Sequence, residues 1–182
     1  MSMRLKPLFG TVSFLSLIVT QCIGQFYVNG ADVIVTANGT MSVITDSVIV
    51  DNVGNLENDG LLYVQRDLVI ESGAFNNREE ADIDNTVINQ DNLTADADPT
   101  TIFRVGQDWE NNGAFTAGNS TVELKGGDQE IRGTSISAFY DLICLGSFPD
   151  IKSLNAIDAD VTNSLDLGNC LLYTSDAADE LR

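Results

Sequence analysis

The amino-acid sequence predicts an all-β fold, a right-handed β-solenoid with short strands and about 21 residues in each coil. Three observations support this prediction. Similar stretches begin at Val35 and at Leu56, which are 21 residues apart. Asn-Gly and Asp-Gly dipeptides, which accept turns with positive φ, separate short runs that are rich in β-branched residues. Between residues 25 and 169, apolar residues nowhere recur with the period of a helix.

The repeat is visible in VTANGTMSV, LENDGLLYV and WENNGAFTA, which begin at Val35, Leu56 and Trp109. Each stretch has an apolar residue, then Asn or Asp followed by Gly, then a second apolar residue. Equivalent side chains of successive coils stack into one core, so a solenoid requires such likeness. The expected interior residues are Val35, Leu56, Trp109, Met41, Leu62 and Phe115, and the expected corners are Asn38, Asp59 and Asn112.

A β-sandwich of hairpins is the alternative fold, since it also joins short strands by Gly and Asn turns. A sandwich does not require one repeat to resemble the next. Here the likeness of the first two stretches continues, because Asp46 falls on Asp67 and Val48 falls on Val69. The common register therefore favours the solenoid.

The repeat is interrupted after the second stretch. Residues 76–101 are polar and acidic, with strand formers confined to residues 86–88, so this interval is expected to be an insertion or irregular coil. Residues 138–145 have the composition of a further strand, in which Cys144 packs as a small hydrophobe. Residues 164–169 begin another coil.

The N-terminal segment has the layout of a secretory signal peptide. Arg4 and Lys6 precede an apolar run over residues 8–20, which is shorter than the roughly 20 residues needed to span a bilayer. Cleavage is expected after Gly24. Residues 1–24 are therefore predicted to be removed on export, which leaves a mature chain that begins at Gln25 and is not inserted in a membrane.

The opposite end resembles non-genomic sequence. CLLYTSDAADE, residues 170–180, is similar to one reading-frame translation of a transposase adapter used in sequencing libraries. The resemblance implies that residues 170–182 are an adapter-derived artefact and that residues 25–169 are a truncated solenoid segment of a longer protein. Cys144 is then the one cysteine of the mature chain, so no intrachain disulfide is expected.

The sequence is strongly acidic. It has 9 Lys and Arg residues against 27 Asp and Glu residues, a formal net charge of -18. Such a surface repels nucleic acid and anionic membranes and favours solubility or cations. No nucleic-acid partner is expected, and cell-surface glycans or other surface proteins are the candidate partners.

Composition also restricts catalysis. Histidine is absent from the sequence, which excludes Ser-His and Cys-His nucleophiles and ordinary zinc sites. No phosphate-binding glycine loop is found. A pair of carboxylates suffices for glycoside hydrolysis, but the acidic residues are too numerous to single out a pair. No catalytic residue or cofactor is assigned, and the chain is not expected to be an enzyme.

Two acidic motifs offer oxygen ligands at alternate positions, as calcium sites do. They are DIDN, with Asp82 and Asp84, and DADP, with Asp96 and Asp98. Neither motif continues into the Gly and distal Glu of an EF-hand or the glycine-rich nonapeptide of a calcium-binding β-roll. These four aspartates are candidate calcium ligands, and an ordinary acidic loop is the alternative.

Aromatic side chains suggest a second kind of site. Trp109, Tyr140 and Tyr63 are the candidates for a platform that stacks on sugar rings. Trp109 occupies the apolar position of the repeat, so it is expected in the core instead.

Alternation is clearest in TVELK. Val122 and Leu124 are expected to face the core, and Thr121, Glu123 and Lys125 to face outward. A binding role of this stretch would therefore use the three polar side chains.

The stretch NNGAFTAGNSTVELKGGDQEIRGTSISAFYDLICL, residues 111–145, resembles a recurrent passage in large surface proteins of Bacteroidetes bacteria. There NNGxFxAGxSTVxFxGxxxQxIxG precedes an aromatic-led FYNL strand, and Leu124 and Asp141 depart from that pattern. Similar proteins are generally β-helical and often end in a sorting domain for type IX secretion. The resemblance implies a secreted or outer cell-surface product.

Two classes of function follow from these observations. The first is a non-catalytic structural or adhesin-like extracellular segment that acts as a scaffold or stalk. The alternative is a β-helical carbohydrate-active enzyme, either a polysaccharide lyase or a glycosidase, or a carbohydrate-binding module. The sequence of the whole gene would separate the two classes, because a sorting domain or a catalytic module would lie downstream.

Overall fold

The computed structural model describes residues 3–5, 22–155 and 158–174. All regular elements within these ranges are β-strands, and each pairs in parallel with strands of neighbouring coils. In chain order the strands are β1 Met3–Leu5, β2 Cys22–Ile23, β3 Phe26–Asn29, β4 Asp32–Val35, β5 Thr40–Ile44, β6 Val48–Asp51, β7 Gly54–Asn58, β8 Leu61–Val64, β9 Leu68–Ile70, β10 Gly73–Asn77, β11 Glu80–Ile83, β12 Val87–Asn89, β13 Asn92–Ala95, β14 Ile102–Val105, β15 Trp109–Asn111, β16 Ala114–Thr116, β17 Thr121–Leu124, β18 Gln129–Gly133, β19 Ser137–Cys144, β20 Ile151–Asn155, β21 Ala159–Asp166 and β22 Leu171–Thr174.

The strands form three parallel sheets along a common axis. The first sheet has the order β1-β3-β6-β9-β12-β15-β18-β20-β22, the second β16-β13-β10-β7-β4, and the third β2-β5-β8-β11-β14-β17-β19-β21. The chain therefore forms a β-solenoid of about seven turns with roughly 21 residues per turn, as predicted. A sandwich of hairpins would have paired successive strands antiparallel.

Alternation along each short strand fills the core. On β9, Leu68 and Ile70 have no exposed surface, and Val69 between them is partly exposed. Leu68 stacks on Val48 of one neighbouring coil and on Val87 of the other. Full burial of such a side chain contributes about 1.5–3 kcal/mol, so the stacked inward residues are the main stabilising feature.

The observed register partly corrects the expected one. Met41 lies beside Leu62, 21 residues further on, as expected. Val48, however, lies beside Leu68 and not beside Val69. The corners between strands range from two to six residues in length, so the offset between stacked residues varies from coil to coil and from sheet to sheet.

The first two stretches show the same difference. Val35 and Leu56 are both buried, as expected, but they are not stacked on each other. Leu56 lies beside Val33, and Val35 lies beside Asn58.

The stretch that begins at Trp109 lies at a different corner of the solenoid from the stretches that begin at Val35 and Leu56. Trp109 belongs to β15 of the first sheet and stacks between Val87 and Ile131. Leu56 belongs to the second sheet, where the equivalent residue of that coil is Phe115. An apolar residue before Asn-Gly is compatible with any corner of the solenoid, so the motif alone could not distinguish them.

The expected interior and corner residues are otherwise confirmed. Val35, Leu56, Leu62 and Trp109 are buried, and Met41 and Phe115 are partly buried against the core. Asn38, Asp59 and Asn112 lie at corners between strands, as expected.

The prediction of an insertion or irregular coil at residues 76–101 was wrong. This interval contains the end of β10 and all of β11, β12 and β13, in register with their neighbours. Ala81, Ile83, Val87 and Leu93 have no exposed surface, so apolar residues at alternate positions suffice to fill the coil. The acidic residues of this interval occupy outward positions on the strands and corners between them.

The predicted strand at residues 138–145 is β19, and Cys144 is fully buried. Towards the C-terminus, β21 and β22 extend the third and first sheets. The apolar run at residues 8–20 and residues 175–182 of the adapter-like segment lie outside the described residues.

Candidate functional site

The outward side chains of the third sheet form a charged network between coils. Nε of Arg104 lies 2.9 Å from Oε2 of Glu123, and Nη1 of Arg104 donates to Oε1 of Glu80. Burial lowers the pKa of Arg104, but hydrogen bonds to the two carboxylates outweigh burial and hold the pKa above its ordinary value. One guanidinium therefore joins three successive coils.

Lys125 makes a second link across this sheet. Its Nζ lies 2.9 Å from Oδ1 of Asp84 and also donates to Oδ1 of Asp82, two coils away. The hydroxyl of Tyr63 donates to Oδ2 of Asp84. Burial lowers the pKa of Lys125, but the two carboxylates outweigh burial and raise the pKa overall.

The four candidate calcium ligands have other partners. Asp82 and Asp84 neutralise Lys125, whereas Asp96 and Asp98 lie in the corner between β13 and β14. Oδ1 of Asp96 accepts a hydrogen bond from its neighbour's backbone at 2.6 Å, and Oδ1 of Asp98 accepts from the backbone N–H of Thr100 at 2.9 Å. This N–H, followed by the Thr100 hydroxyl, lowers the pKa of Asp98.

Within residues 3–5, 22–155 and 158–174, no group of three or more His, Cys, Asp and Glu residues is arranged to hold a metal ion.

On the first sheet, Arg132 of β18 has a similar set of carboxylates. Its Nε lies 3.0 Å from Oε2 of Glu110, and its Nη1 contacts Asp108 and lies 3.5 Å from Oε2 of Glu130. Burial lowers the pKa of Arg132, and the bonds to Glu110 and Asp108 reverse that effect. The guanidinium joins its own coil to the preceding one.

The second sheet presents amides as well as charges. Nδ2 of Asn76 donates to Oδ1 of Asn55 at 2.9 Å. At the adjoining corner, Nη1 of Arg78 lies 2.7 Å from Oδ1 of Asp59 and 3.2 Å from Oε2 of Glu57. The hydrogen bond to Asp59 is the largest cause that raises the pKa of Arg78.

The alternation predicted for TVELK is confirmed. Val122 and Leu124 are buried, whereas Thr121, Glu123 and Lys125 are partly exposed on the outer side of the third sheet. Two of the three polar side chains are engaged by charges of other coils, which the sequence did not indicate.

The predicted interior position of Trp109 is also confirmed. The side chain has no exposed surface, and its Nε1 donates to Oγ of Ser137 at 3.0 Å. Its ring makes edge contacts with Phe103, Phe115 and Phe139, at centroid separations of 6.0, 4.9 and 5.4 Å. Trp109 therefore provides no surface for sugar stacking.

The other two aromatic candidates are far apart. Tyr63 lies on β8 and Tyr140 on β19, four strand spacings along the third sheet. At about 4.8 Å for each spacing, they are separated by roughly 19 Å along the axis. They do not form one platform.

Two buried asparagine ladders were missed in the sequence. Nδ2 of Asn58 donates to Oδ1 of Asn77 at 2.7 Å, and Nδ2 of Asn89 donates to Oδ1 of Asn111 at 2.8 Å. All four residues have no exposed surface. A signal was available, because Asn58 and Asn111 directly precede predicted corner residues.

A buried lysine was also missed. Lys152 has no exposed surface, and its Nζ donates to the backbone oxygens of Gly126 at 2.7 Å and Gly127 at 2.6 Å and to Oε1 of Gln129. Burial lowers the pKa of Lys152 and raises the pKa of nearby Cys144 to about 11. Because Lys152 lies in a polar stretch of the sequence, nothing there indicated that its side chain points inward.

The arrangement of these groups is suited to joining coils. Individual exposed ion pairs contribute about 0–1 kcal/mol, and they accumulate along the stack as each coil adds its own. Buried asparagine and lysine side chains complete the hydrogen bonds of the corners.

Among the described residues, no helix is long and apolar enough to cross a membrane. No protein-family model, curated protein or solved structure matches the chain.

Proposed function

We propose that this chain is a non-catalytic scaffold or stalk segment of a larger extracellular protein. The observation that supports this role best is the ion pairing of outward Lys and Arg side chains with carboxylates of other coils. Four of the outward cations among the described residues contact carboxylates of another coil, whereas Arg66 is exposed at a corner. The four are Arg78, Arg104, Lys125 and Arg132. The polar surface thus reinforces the stack.

A solenoid of this kind is a natural spacer. Each coil contacts its neighbours, so stability and length both grow with the number of coils. At about 4.8 Å for each coil, seven turns extend roughly 34 Å along the axis. A longer protein with further coils would hold a distal domain at a greater distance.

We place this segment outside the cell, at the outer surface or in the secreted fraction. Support comes from the signal-like layout of residues 1–24 and from the resemblance of residues 111–145 to Bacteroidetes surface proteins. The test is expression with the leader in a Bacteroidetes host, followed by N-terminal sequencing of the exported product. A product that begins at Gln25 is expected, and retention of Met1 in a cytoplasmic product would contradict export.

Coil duplication tests the spacer role. Insertion of a second copy of residues 68–86 after Thr86 adds one complete coil in the register of β9 to β12. The chain is expected to remain folded and to lengthen by about 4.8 Å in small-angle X-ray scattering. Insertion of the same residues in scrambled order is the control, since it lacks the inward alternation. If the ordered duplication unfolds the chain as the scrambled one does, the modular spacer is wrong.

The enzymatic alternative has its own test. The purified chain is incubated with a panel of acidic and neutral polysaccharides, and new reducing ends and unsaturated products are measured. The proposal expects neither product. Polysaccharide cleavage that co-purifies with the folded chain and is lost when the chain is unfolded would overturn the non-catalytic role. Glycan binding without turnover would support an adhesin-like role and identify a partner class.

A further inference from the structure

The outer face of the first sheet carries an unexpected row of apolar side chains. Tyr27, Ile49, Val69 and Ile88 lie beside one another in four successive coils. Their neighbours along each strand point into the core, so these four point outward. We name these four residues the apolar row.

The apolar row is separate from the core. Ile49 is 7% exposed but does not belong to the core cluster, and Val69 and Ile88 are partly exposed. The row ends where Glu110 follows Ile88 in register. Among the described residues it is the longest run of outward apolar side chains in neighbouring coils. An apolar strip bordered by polar residues is typical of a protein interaction site.

A strained apolar residue lies at the edge of the same face. Val53 is 83% exposed and has a φ of 55°, and the preceding Asn52 has a φ of 53°. A left-handed β-branched residue costs roughly 1–3 kcal/mol and persists where surrounding bonds impose it. Here Val53 N–H donates to the backbone oxygen of Ser72 at 2.8 Å, and Asn52 N–H donates to Oδ1 of Asp51 at 2.6 Å. Such strain is concentrated at recognition sites.

Charge restricts the class of partner. Residues 22–105, which form the first four coils, contain 14 acidic and 3 basic residues. Acidic residues occur at both ends of the strands that carry the row: Asp46, Asp51, Asp67, Glu71 and Asp91. A second copy, a nucleic acid or an anionic membrane would bring like charge against this surface, whereas a cationic segment would be attracted.

The spacing of the apolar row restricts the secondary structure of the partner segment. Residues of the apolar row repeat every 4.8 Å or so along the solenoid axis, which is the distance between strands. A helix that lies along this axis presents one apolar residue per turn of about 5.4 Å, a close match over three or four turns. An extended strand repeats the same face only every 6.5 Å or so.

We propose that the apolar row, with its acidic borders and Val53, binds a cationic amphipathic helix of a partner protein. The apolar side of the helix packs on Tyr27, Val69 and Ile88, which are partly exposed, and its Lys and Arg residues contact the bordering carboxylates. This inference goes beyond the stalk role and does not depend on it, since it concerns one outer face of the folded chain.

The test uses a fluorescein-labelled peptide of about 18 residues, with Leu at one position per helical turn and Lys at the exposed positions. Fluorescence anisotropy measures its binding to the folded chain, and circular dichroism measures helix formation. Binding is expected at low salt and is weakened at about 0.5 M salt. The double variant Val69→Thr/Ile88→Thr should bind about tenfold more weakly, since the first change replaces a methyl group by a hydroxyl and the second replaces an ethyl group by a hydroxyl.

Matched controls separate apolar docking from plain charge attraction. Ile34→Thr changes an outward apolar residue of the second sheet and should leave binding unchanged. A peptide with Glu in place of Lys should not bind. Equal binding to the wild type and the double variant would overturn the proposal, because charge alone would then explain the affinity.

Peptide binding to a Val53 variant and the oligomeric state of the wild type provide two further tests. If the double variant does not fold, Val53→Asn replaces it, because Asn tolerates positive φ, and weaker peptide binding is expected. Unchanged binding to Val53→Asn would then overturn the proposal. Sedimentation of the wild type is expected to show a monomer. A dimer that the double variant abolishes would also overturn the proposal, since a second copy would then occupy the row.

Discussion

Nδ2 of Asn58 donates a hydrogen bond to Oδ1 of Asn77 across 2.7 Å, and neither side chain has exposed surface. Nδ2 of Asn77 in turn donates a hydrogen bond to the backbone oxygen of Ile102 at 3.0 Å. Buried amides thus join three successive coils, through Asn58 of β7, Asn77 of β10 and Ile102 of β14. Because a buried polar group without a partner costs about 1–3 kcal/mol, each amide of the ladder depends on the other.

Replacement of Asn77 by Leu should destabilise the solenoid. Asn58 loses its side-chain partner and the backbone oxygen of Ile102 loses a donor, so the free energy of unfolding should fall by about 2 kcal/mol. Urea unfolding followed by the fluorescence of Trp109, the single tryptophan, measures the change. Asn76→Leu is the matched control on the partly exposed side of the same strand. An equal loss in both variants would show that the ladder is unimportant.

Replacement of Val53 by Gly should stabilise the chain. Gly adopts a φ of 55° without the steric conflict of a β-branched side chain. We expect the free energy of unfolding to rise by about 1 kcal/mol, with a higher thermal midpoint in circular dichroism. Val53→Ala retains the Cβ atom and should recover less of this gain. If Ala and Gly behave alike, strain at this corner is not the cause.

The acid stability of the third sheet should depend on Asp84. Burial raises the pKa of Asp84, but hydrogen bonds from Tyr63 and Lys125 outweigh burial and hold the pKa below its ordinary value. Stability from a lowered pKa is present above the unfolded pKa and is lost as pH falls through the folded pKa. Asp84→Asn should therefore lower the thermal midpoint at neutral pH, and this difference should close at pH about 2.

The size of this effect is limited by solvent. The side chain of Asp84 is 39% exposed, so its loss should reduce the free energy of unfolding by less than about 1 kcal/mol. Glu79→Gln removes an exposed carboxylate elsewhere and is the control for net charge. A difference between Asp84→Asn and the wild type that is the same at neutral and acid pH would contradict the assigned ion pair.

Cys144 should be unreactive in the folded chain. Burial raises its pKa from 9.0 to about 11, so little of the reactive thiolate is present near pH 8. Its stabilising contribution is full below pH 9.0 and is lost as pH rises towards 11. The pKa of Lys152 is lowered by burial and acts in the opposite sense, so alkylation is a better measurement than alkaline unfolding.

Iodoacetamide labelling followed by peptide mass spectrometry measures this protection. We expect Cys144 to remain unmodified in buffer and to react fully in concentrated urea. Rapid labelling of the native chain would place the thiol outside the core.

Local patterns were sufficient for several features of the fold. Asn-Gly corners, β-branched runs and the alternation of Val122 and Leu124 predict short strands with one side buried. The interior position of Trp109 followed in the same way. These features depend on residues within a few positions of each other, where strand geometry imposes a period of two.

Register was harder to predict. The 21-residue match is exact where Met41 meets Leu62, but Leu56 meets Val33 rather than Val35. Corner lengths vary while strands keep their pairing, so one period does not describe all three sheets. Residues 76–101 resemble an insertion in sequence because their outward positions and corners are acidic, which obscures the alternate inward residues Ala81, Ile83, Val87 and Leu93.

The amino-acid order thus contained enough information for the class of fold, the short strands and the buried side of each strand, because these follow from local periodicity. Contacts between coils came from the folded chain: the Asn58–Asn77 ladder, the Lys125 pair with Asp84, and the alignment of Ile49 with Val69. Each joins residues about 20 or more positions apart, and the lengths of the intervening corners decide which of those residues become partners, so sequence spacing alone does not identify the pairs.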